Sequence, residues 1–412
     1  MYGDSEREVT YLNRIYETKY DCCGCTACSS VCPVKAISMT EDDEGFKYPV
    51  INSELCVNCN KCKTVCPLKA NNNDNEPLHI YAAKNNNQSV RDKSSSGGIF
   101  SLLANYVESK GGVIYGAAFD EKYKVRHLRA ETAAEWKKFC VSKYVQSDLS
   151  NVFAGVRNDL KSNLLVLFSG TPCQVDGLKK YLSNTNTPSD NLITCDIVCH
   201  GTPSPKIWEE YLEYIKESSG KEIGSISFRD KDELGWHNST LTIKDKQQNI
   251  ILAETQKDNY FFQLFLRSDI LRPACNKCRY ANFHRQGDIT LGDFWGIENH
   301  YKEFDDDKGI SLAMVNTKVG EEIWKSLQNS IESFEVQKEF CIQPNLVSPS
   351  EESQWRDTFW LWYKKYGLKR TGQRMGFFPM NIMEKVLVFV LMCIEKALRI
   401  FRGLVKRDSN IS

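Results

Sequence analysis

The chain has 412 residues, which as a prior means two or three domains. Lysine plus arginine equals aspartate plus glutamate at 53 each, so no global field draws nucleic acid or anionic lipid, and nucleic acid is excluded as a partner class. Nine of the 17 cysteines precede residue 67, a distribution that fits metal ligation and not a disulfide framework.

Met1 to Tyr20 is polar and charged, without the apolar core of a signal peptide. Then follow Cys22-x2-Cys25-x2-Cys28-x3-Cys32-Pro33 and Cys56-x2-Cys59-x2-Cys62-x3-Cys66-Pro67. This is the two-cluster bacterial ferredoxin spacing, written twice. A C-x2-C-x2-C loop wraps three corners of a 4Fe-4S cube but is too short to reach the fourth, so that ligand comes from the other half of the repeat. Cys22, Cys25, Cys28 and Cys66 are therefore assigned to one cluster, and Cys56, Cys59, Cys62 and Cys32 to the other. Pro33 and Pro67 turn the chain away after each fourth cysteine. Zinc knuckles rarely use this run. Cys23 breaks the x2 spacing and is expected to be a bystander. Thiolates that bind iron must stay reduced, which predicts a cytoplasmic protein.

Between the two runs, Ala36 to Met39 and Phe46 to Ile51 flank an acidic turn ending in Gly45 and predict a β-hairpin. The polar run Asn71 to Pro77 marks a domain boundary. Beyond it, strands alternate with helices. His79 to Lys84 is a strand, Ile99 to Lys110 a helix with one apolar face, and Val113 to Phe119 a strand. The helix opens on Ser94-Ser95-Ser96-Gly97-Gly98. Such a loop can cradle the phosphate of a nucleotide cofactor, and it can equally be a plain cap, being neither a P-loop nor a G-x-G-x-x-G.

Leu164 to Phe168 and Leu192 to Val198 are apolar runs expected as strands buried on both faces. Each ends in a turn and a helix, which implies a parallel pair. Cys173 and Cys199 then lie on the same carboxyl-end rim, where open α/β sheets bind ligands. Cys195 falls inside its strand and is expected in the core. Cys275-x2-Cys278 sits in a basic loop. The four thiols can hold a third 4Fe-4S cluster, while buried free thiols and half of a zinc site remain open alternatives. Ser225 to Arg229, Thr240 to Ile243, Asp288 to Trp295 and Ser311 to Asn316 read as further strands, and Glu321 to Leu327 as a helix. Met383 to Lys406 is a helix candidate with nine consecutive apolar residues, too short to span a bilayer; it fits either a protein surface or peripheral contact at the inner membrane face.

The predicted fold is an α+β ferredoxin-like two-cluster module (residues 1–75), an α/β domain with a mixed, partly parallel sheet (76–345), and a helical C-terminal tail (346–412).

Ser96-Gly97-Gly98, Gly170-Thr171-Pro172-Cys173-Gln174, Cys199-His200-Gly201 and Asp288 to Gly296 resemble the coenzyme F-420 hydrogenase/dehydrogenase beta-subunit family. Within it, the chain looks like the versions fused to an N-terminal double-cluster ferredoxin and associated with bacterial polysaccharide biosynthesis. The resemblance covers roughly residues 20–345 and implies an iron–sulfur flavoprotein oxidoreductase. It implies Ser96, Gly97 and Gly98 beside the phosphates of a flavin, FAD; Ser142, Lys143, Tyr144, Gln146 and Ser147 near that flavin; Gly170, Thr171 and Pro172 in the rim loop; and Cys173, Cys199, Cys275 and Cys278 as ligands of a third cluster. Members of the family act on a deazaflavin, on formate-linked electrons or on a chlorophyll precursor. For this chain it implies an electron donor such as ferredoxin and a small-molecule or glycan-precursor substrate. Clusters carry single electrons and organic substrates change by two, and a flavin connects the two regimes. The alternative is an electron-transfer subunit that docks on a catalytic partner. Lys143, Arg229, His200 and Asp293 are acid–base candidates that spacing does not separate.

Overall fold

The computed structural model describes residues 15–69 and 76–378, together with Met383 and Val390. The polar boundary run from 71 to 75 and the helix expected over 383–406 lie outside these, apart from those two residues. No helix among the described residues is long and apolar enough to cross a membrane.

The N-terminal module holds helix α1 (Ala27–Val31), strands β1 (Ile37–Glu41) and β2 (Lys47–Ile51), and helix α2 (Lys61–Thr64). β1 and β2 pair antiparallel, as the alternating segments predict. In the turn, Gly45 takes φ +83°, and Asp42 Oδ1 accepts from the N–H groups of Glu44 and Phe46. The hairpin buries Phe46 and Tyr48 and exposes Lys47.

The α/β part begins with β3 (His79–Asn85), α3 (Gln88–Asp92), α4 (Ile99–Ser109), β4 (Val113–Phe119), β5 (Val125–Ala130) and α5 (Ala133–Trp136). It continues through α6 (Val152–Lys161), β6 (Val166–Gly170), α7 (Pro172–Asn184), β7 (Leu192–Ile197) and α8 (Pro205–Ser219). Next come β8 (Ile223–Asp230), β9 (Thr240–Asp245), β10 (Ile250–Thr255), α9 (Tyr260–Leu266), β11 (Ile289–Asp293), β12 (Ser311–Val315), α10 (Lys318–Leu327) and β13 (Ile331–Glu335). Helix α11 (Arg356–Arg374), broken by a kink at Gly367 (φ +73°, ψ 174°), follows.

Eight strands form one mixed sheet in the order β13-β3-β12-β11-β7-β6-β4-β5. Its centre, β11-β7-β6-β4, is parallel, and the outer pairs are antiparallel. Val166, Leu167 and Phe168 are fully buried, as strands covered on both faces require. The pairing of Gly170 with Asp196 ends β6 and β7 level with each other, so the turns carrying Cys173 and Cys199 leave the same edge. Cys195 lies in the core.

A second sheet, β10-β9-β8, is antiparallel. Beside it α8, α9 and α11 enclose an aromatic core that includes Trp208, Phe228, Phe261, Phe262, Phe359 and Trp360. Each such buried side chain contributes about 1.5–3 kcal/mol relative to exposure. From α11, Arg356 pairs with Glu44 and Lys364 Nζ lies 2.6 Å from Asp43, so the hairpin turn of the N-terminal module is gripped by the far end of the chain.

Candidate functional site

The two cysteine runs share a backbone as well as a spacing. Gly24 and Thr26 flank Cys25 with φ +73° and +67°, and Asn58 and Asn60 flank Cys59 with φ +54° and +57°. These left-handed positions curl each loop inward, and glycine and asparagine suit them. Cys22, Cys25, Cys28 and Cys66 line one small cavity. Burial pushes the Cys28 thiol far above its ordinary range, and the neighbouring Cys22 and Cys66 push it further. Cys56, Cys59 and Cys62 neighbour one another nearer the surface, with Cys59 exposed. Cys32 ends α1, which lies against α2, and its Sγ accepts from Ala36 N–H at 3.2 Å. The module docks through α1 on α7, where Gly177 makes room: a Cβ there would stand 2.9 Å from Cys25 Sγ.

On the sheet rim, Cys173, Cys199, Cys275 and Cys278 line a second cavity. Cys173 sits in the first turn of α7, after Thr171, whose N–H donates to Gln174 Oε1 at 2.9 Å. The Cys275–Cys278 clip is tied to the loop after β7: Arg272 N–H donates to Thr202 O at 3.0 Å, and Thr202 N–H points to Cys275 Sγ at 3.4 Å. Gly201, at φ +144°, permits this approach, since a Cβ there would meet Leu271 Cδ1 at 2.8 Å and Cys275 Cβ at 3.2 Å. Burial raises the Cys199 thiol well above its ordinary value, and Cys275, Cys173 and Cys278 add to the rise. Half-buried thiols crowded in this way ionise most readily beside a compensating cation, which suits iron ligation. Cys23, expected to stand aside, lines both this cavity and the Cys22 cavity.

A larger cavity of about 500 Å³ opens next to the rim, within the roughly 300–1,000 Å³ usual for small-molecule sites. Ser96, Gly98, Ser142, Lys143, Tyr144, Ser147, Gly170 and Thr171 all line it, as do Arg229, His200 and Asp293. Three expected residues do not. Gly97 packs against β3 and β12, its N–H donating to Ser311 Oγ at 3.1 Å. Pro172 lines the thiol cavity instead. Gln146 faces away, donating from Nε2 to the Cys23 carbonyl at 3.1 Å.

The cavity wall carries positive charge. Burial lowers Lys143 to about 7. Arg229 is buried beside Asp293 (3.3 Å) and over the Trp295 ring (4.8 Å), and its Nε has no partner among the described residues. His127, which no motif marked, fixes the floor. Gln174 Nε2 donates to Ser147 Oγ at 3.0 Å, which leaves the Ser147 hydroxyl proton for His127 Nδ1 at 2.8 Å. His127 Nε2–H then donates to Ser169 O at 2.9 Å. Burial lowers His127 to about 4, so the ring is neutral and its tautomer is set by these partners. The rim cavity and the large cavity share Thr171, Gln174, Cys199, His200, Gly201 and Thr202 as walls.

Residues 164–339 match the family model for the C terminus of the coenzyme F420 hydrogenase/dehydrogenase beta subunit, and residues 21–70 match the 4Fe-4S dicluster domain. One chain of a solved structure, described as the xenon derivatization of the F420-reducing NiFe hydrogenase complex from Methanosarcina barkeri, is similar at 16% identity and a TM-score of 0.46. The match covers 65% of this chain and 86% of that chain. No curated protein matches the chain.

Proposed function

We propose that this chain, which belongs to the coenzyme F420 hydrogenase/dehydrogenase beta-subunit family and carries a 4Fe-4S dicluster module ahead of it, is an iron–sulfur flavoprotein oxidoreductase. Electrons pass between a ferredoxin-type donor and a two-electron acceptor. The parts are a dicluster module over 1–75, a flavin and third-cluster domain over 76–345, and a helical tail over 346–412. Cys22, Cys25, Cys28 and Cys66 hold one cluster, and Cys56, Cys59, Cys62 and Cys32 the second. Cys173, Cys199, Cys275 and Cys278 hold the third. FAD occupies the large cavity, with its phosphates at the Ser96 and Gly98 loop.

The carrying observation is that the cavities share walls. Cys23 belongs to both thiol cavities, and Thr171, Cys199 and His200 belong to the rim cavity and the large one. Single side chains therefore stand between the Cys22 cavity and the rim cavity, and between the rim cavity and the large one. When bound, FAD supplies the change from single electrons to pairs. The chain's residues supply the rest. Lys143 and Arg229 offer cations to an anionic cofactor, and Lys143 Nζ can hold or release a proton near neutrality. The His127–Ser147–Gln174 chain fixes the loop Gly170-Thr171-Pro172 between the centres. The donor docks where Cys59 reaches the surface, on the exposed apolar residues Leu55 and Val57 flanked by the exposed Lys61 and Lys63. The substrate is a small molecule or a glycan precursor, the latter on the resemblance to the polysaccharide-associated branch alone.

The test is anaerobic purification followed by iron, sulfide and flavin analysis. About twelve iron per chain with one FAD is the expected result. About eight iron and no flavin makes the chain an electron carrier that docks on a catalytic partner. A colourless or zinc-only protein overturns the reading.

A further inference from the structure

Five thiols, not four, line the rim cavity, and a cubane takes four. The fifth is Cys23. Its neighbour Cys22 lies in extended backbone, at φ −138° and ψ 113°, and successive side chains of an extended chain point to opposite sides. Cys22 faces Cys28 and Cys66, so Cys23 faces the rim. Both carbonyls of the dipeptide are held from the α/β part: Arg272 Nε donates to Cys22 O at 2.6 Å, and Gln146 Nε2 donates to Cys23 O at 3.1 Å. The Cys23 side chain lies beside Cys25 in one cavity and beside Cys173 in the other. Cys199, Cys275 and Cys278 each neighbour Cys173 and complete a set of four without it.

We propose that Cys23 is not a ligand but the bridge between two centres, a half-buried thiol that joins the cluster ligand Cys25 to the rim ligand Cys173 and carries the electron path between them. The inference rests on the proposed third cluster at the rim. In the step it serves, one electron leaves the iron held by Cys25, which is oxidised, and reaches the iron held by Cys173, which is reduced. No bond forms or breaks and no proton moves. A Cys173 that binds iron as a thiolate can only accept, so the single Cys23 S–H, turned to it, would bias the rim centre, because hydrogen bonds to ligand sulfur stabilise the reduced form and raise the potential. Cys23 is thus a positioning residue, acting through Cys173.

The test uses the full chain, prepared anaerobically as wild type, Cys23→Ala and Cys23→Ser. Iron and sulfide are counted, each centre is titrated by EPR, and reduction of the rim centre is followed by freeze-quench. Both variants are expected to hold wild-type iron. Cys23→Ala is expected to shift the rim potential downward and to slow reduction of the rim centre, and Cys23→Ser, which keeps a donor, to recover part of the shift. Two outcomes overturn the bridge. Loss of the rim signal with one cluster's worth of iron makes Cys23 a ligand, and an unchanged potential and rate make it an inert core thiol. A wild-type chain with no rim signal at all refutes the third cluster itself, and the bridge with it, and is told apart by appearing before any substitution is made.

Discussion

Arg272 joins the two halves of the molecule at Cys22: its Nε donates to the Cys22 carbonyl at 2.6 Å while an outer nitrogen lies 3.5 Å from the Cys22 sulfur. The guanidinium is fully buried, stacks 4.2 Å from the Tyr48 ring, and also donates to Lys47 O and Gln146 Oε1. It works as both a clamp and a charge. Arg272→Met removes the donors for two part-buried carbonyls, and a fully buried one left unmet costs about 1–3 kcal/mol, so thermal stability falls by less than that for each. Loss of the cation beside the ligand sulfur lowers the reduction potential of that cluster. An EPR redox titration reads the second effect, and an unchanged potential in a folded variant contradicts it.

Gly201→Ala is expected to damage the rim centre selectively. The added Cβ would stand 2.8 Å from Leu271 and 3.2 Å from the Cys275 Cβ, at a φ of +144° that alanine rarely adopts. The C-x2-C clip must move away from Cys199. The variant should retain the two ferredoxin-type clusters and hold about eight iron in place of about twelve. Full iron content would show that the clip does not ligate.

Lys143 should make flavin binding depend on pH. Burial holds it at about 7, against 10.5 for the free side chain, so on the cavity wall it is charged only below about 7. An anionic cofactor therefore binds more weakly as pH rises through that value. Fluorescence titration of the flavin-free chain on either side of it measures the trend. Lys143→Met should bind weakly at both, with the dependence gone.

His127 should contribute to acid lability. Its folded value is about 4 and its ordinary one 6.5, so between these the unfolded chain takes up a proton that the folded chain does not. Stability is full above the upper value and is lost as pH falls towards the lower one, by about 3 kcal/mol for this group. His127→Gln keeps a side-chain donor for Ser169 O and cannot titrate. Its denaturation midpoint should fall less steeply across that window than the wild type's.

The sequence carried the parts of the molecule that repeat or that demand a buried strand. Eight cysteines at fixed offsets, the hairpin around Gly45, and the apolar runs that became β6 and β7 were readable because ligand geometry and two-sided burial leave few alternatives. What escaped depends on direction in space. β5 alternates charged and apolar residues on an edge, and β13 is five residues long, so neither stands out from loop. α9 is apolar nearly all round and has no amphipathic period. Spacing says that Cys23 is not in register but not which way its thiol turns. Gln146 lies in the right segment and faces the wrong side of it for the large cavity. His127 sits mid-strand with no motif, and only its contacts with Ser147 and Ser169 mark it.

The grip of α11 on the hairpin turn sets an order of events during synthesis. Ser204 and Lys206 at the start of α8 reach the turn first, donating to Glu44 O and Asp43 O, while Arg356 and Lys364 reach Glu44 and Asp43 only across 312 and 321 residues. The iron-binding loops are thus made early, seated against α7 and α8 midway, and given their last ion pairs late. A chain truncated before residue 356 should keep the α8 contacts of the turn and lose only the two ion pairs to α11.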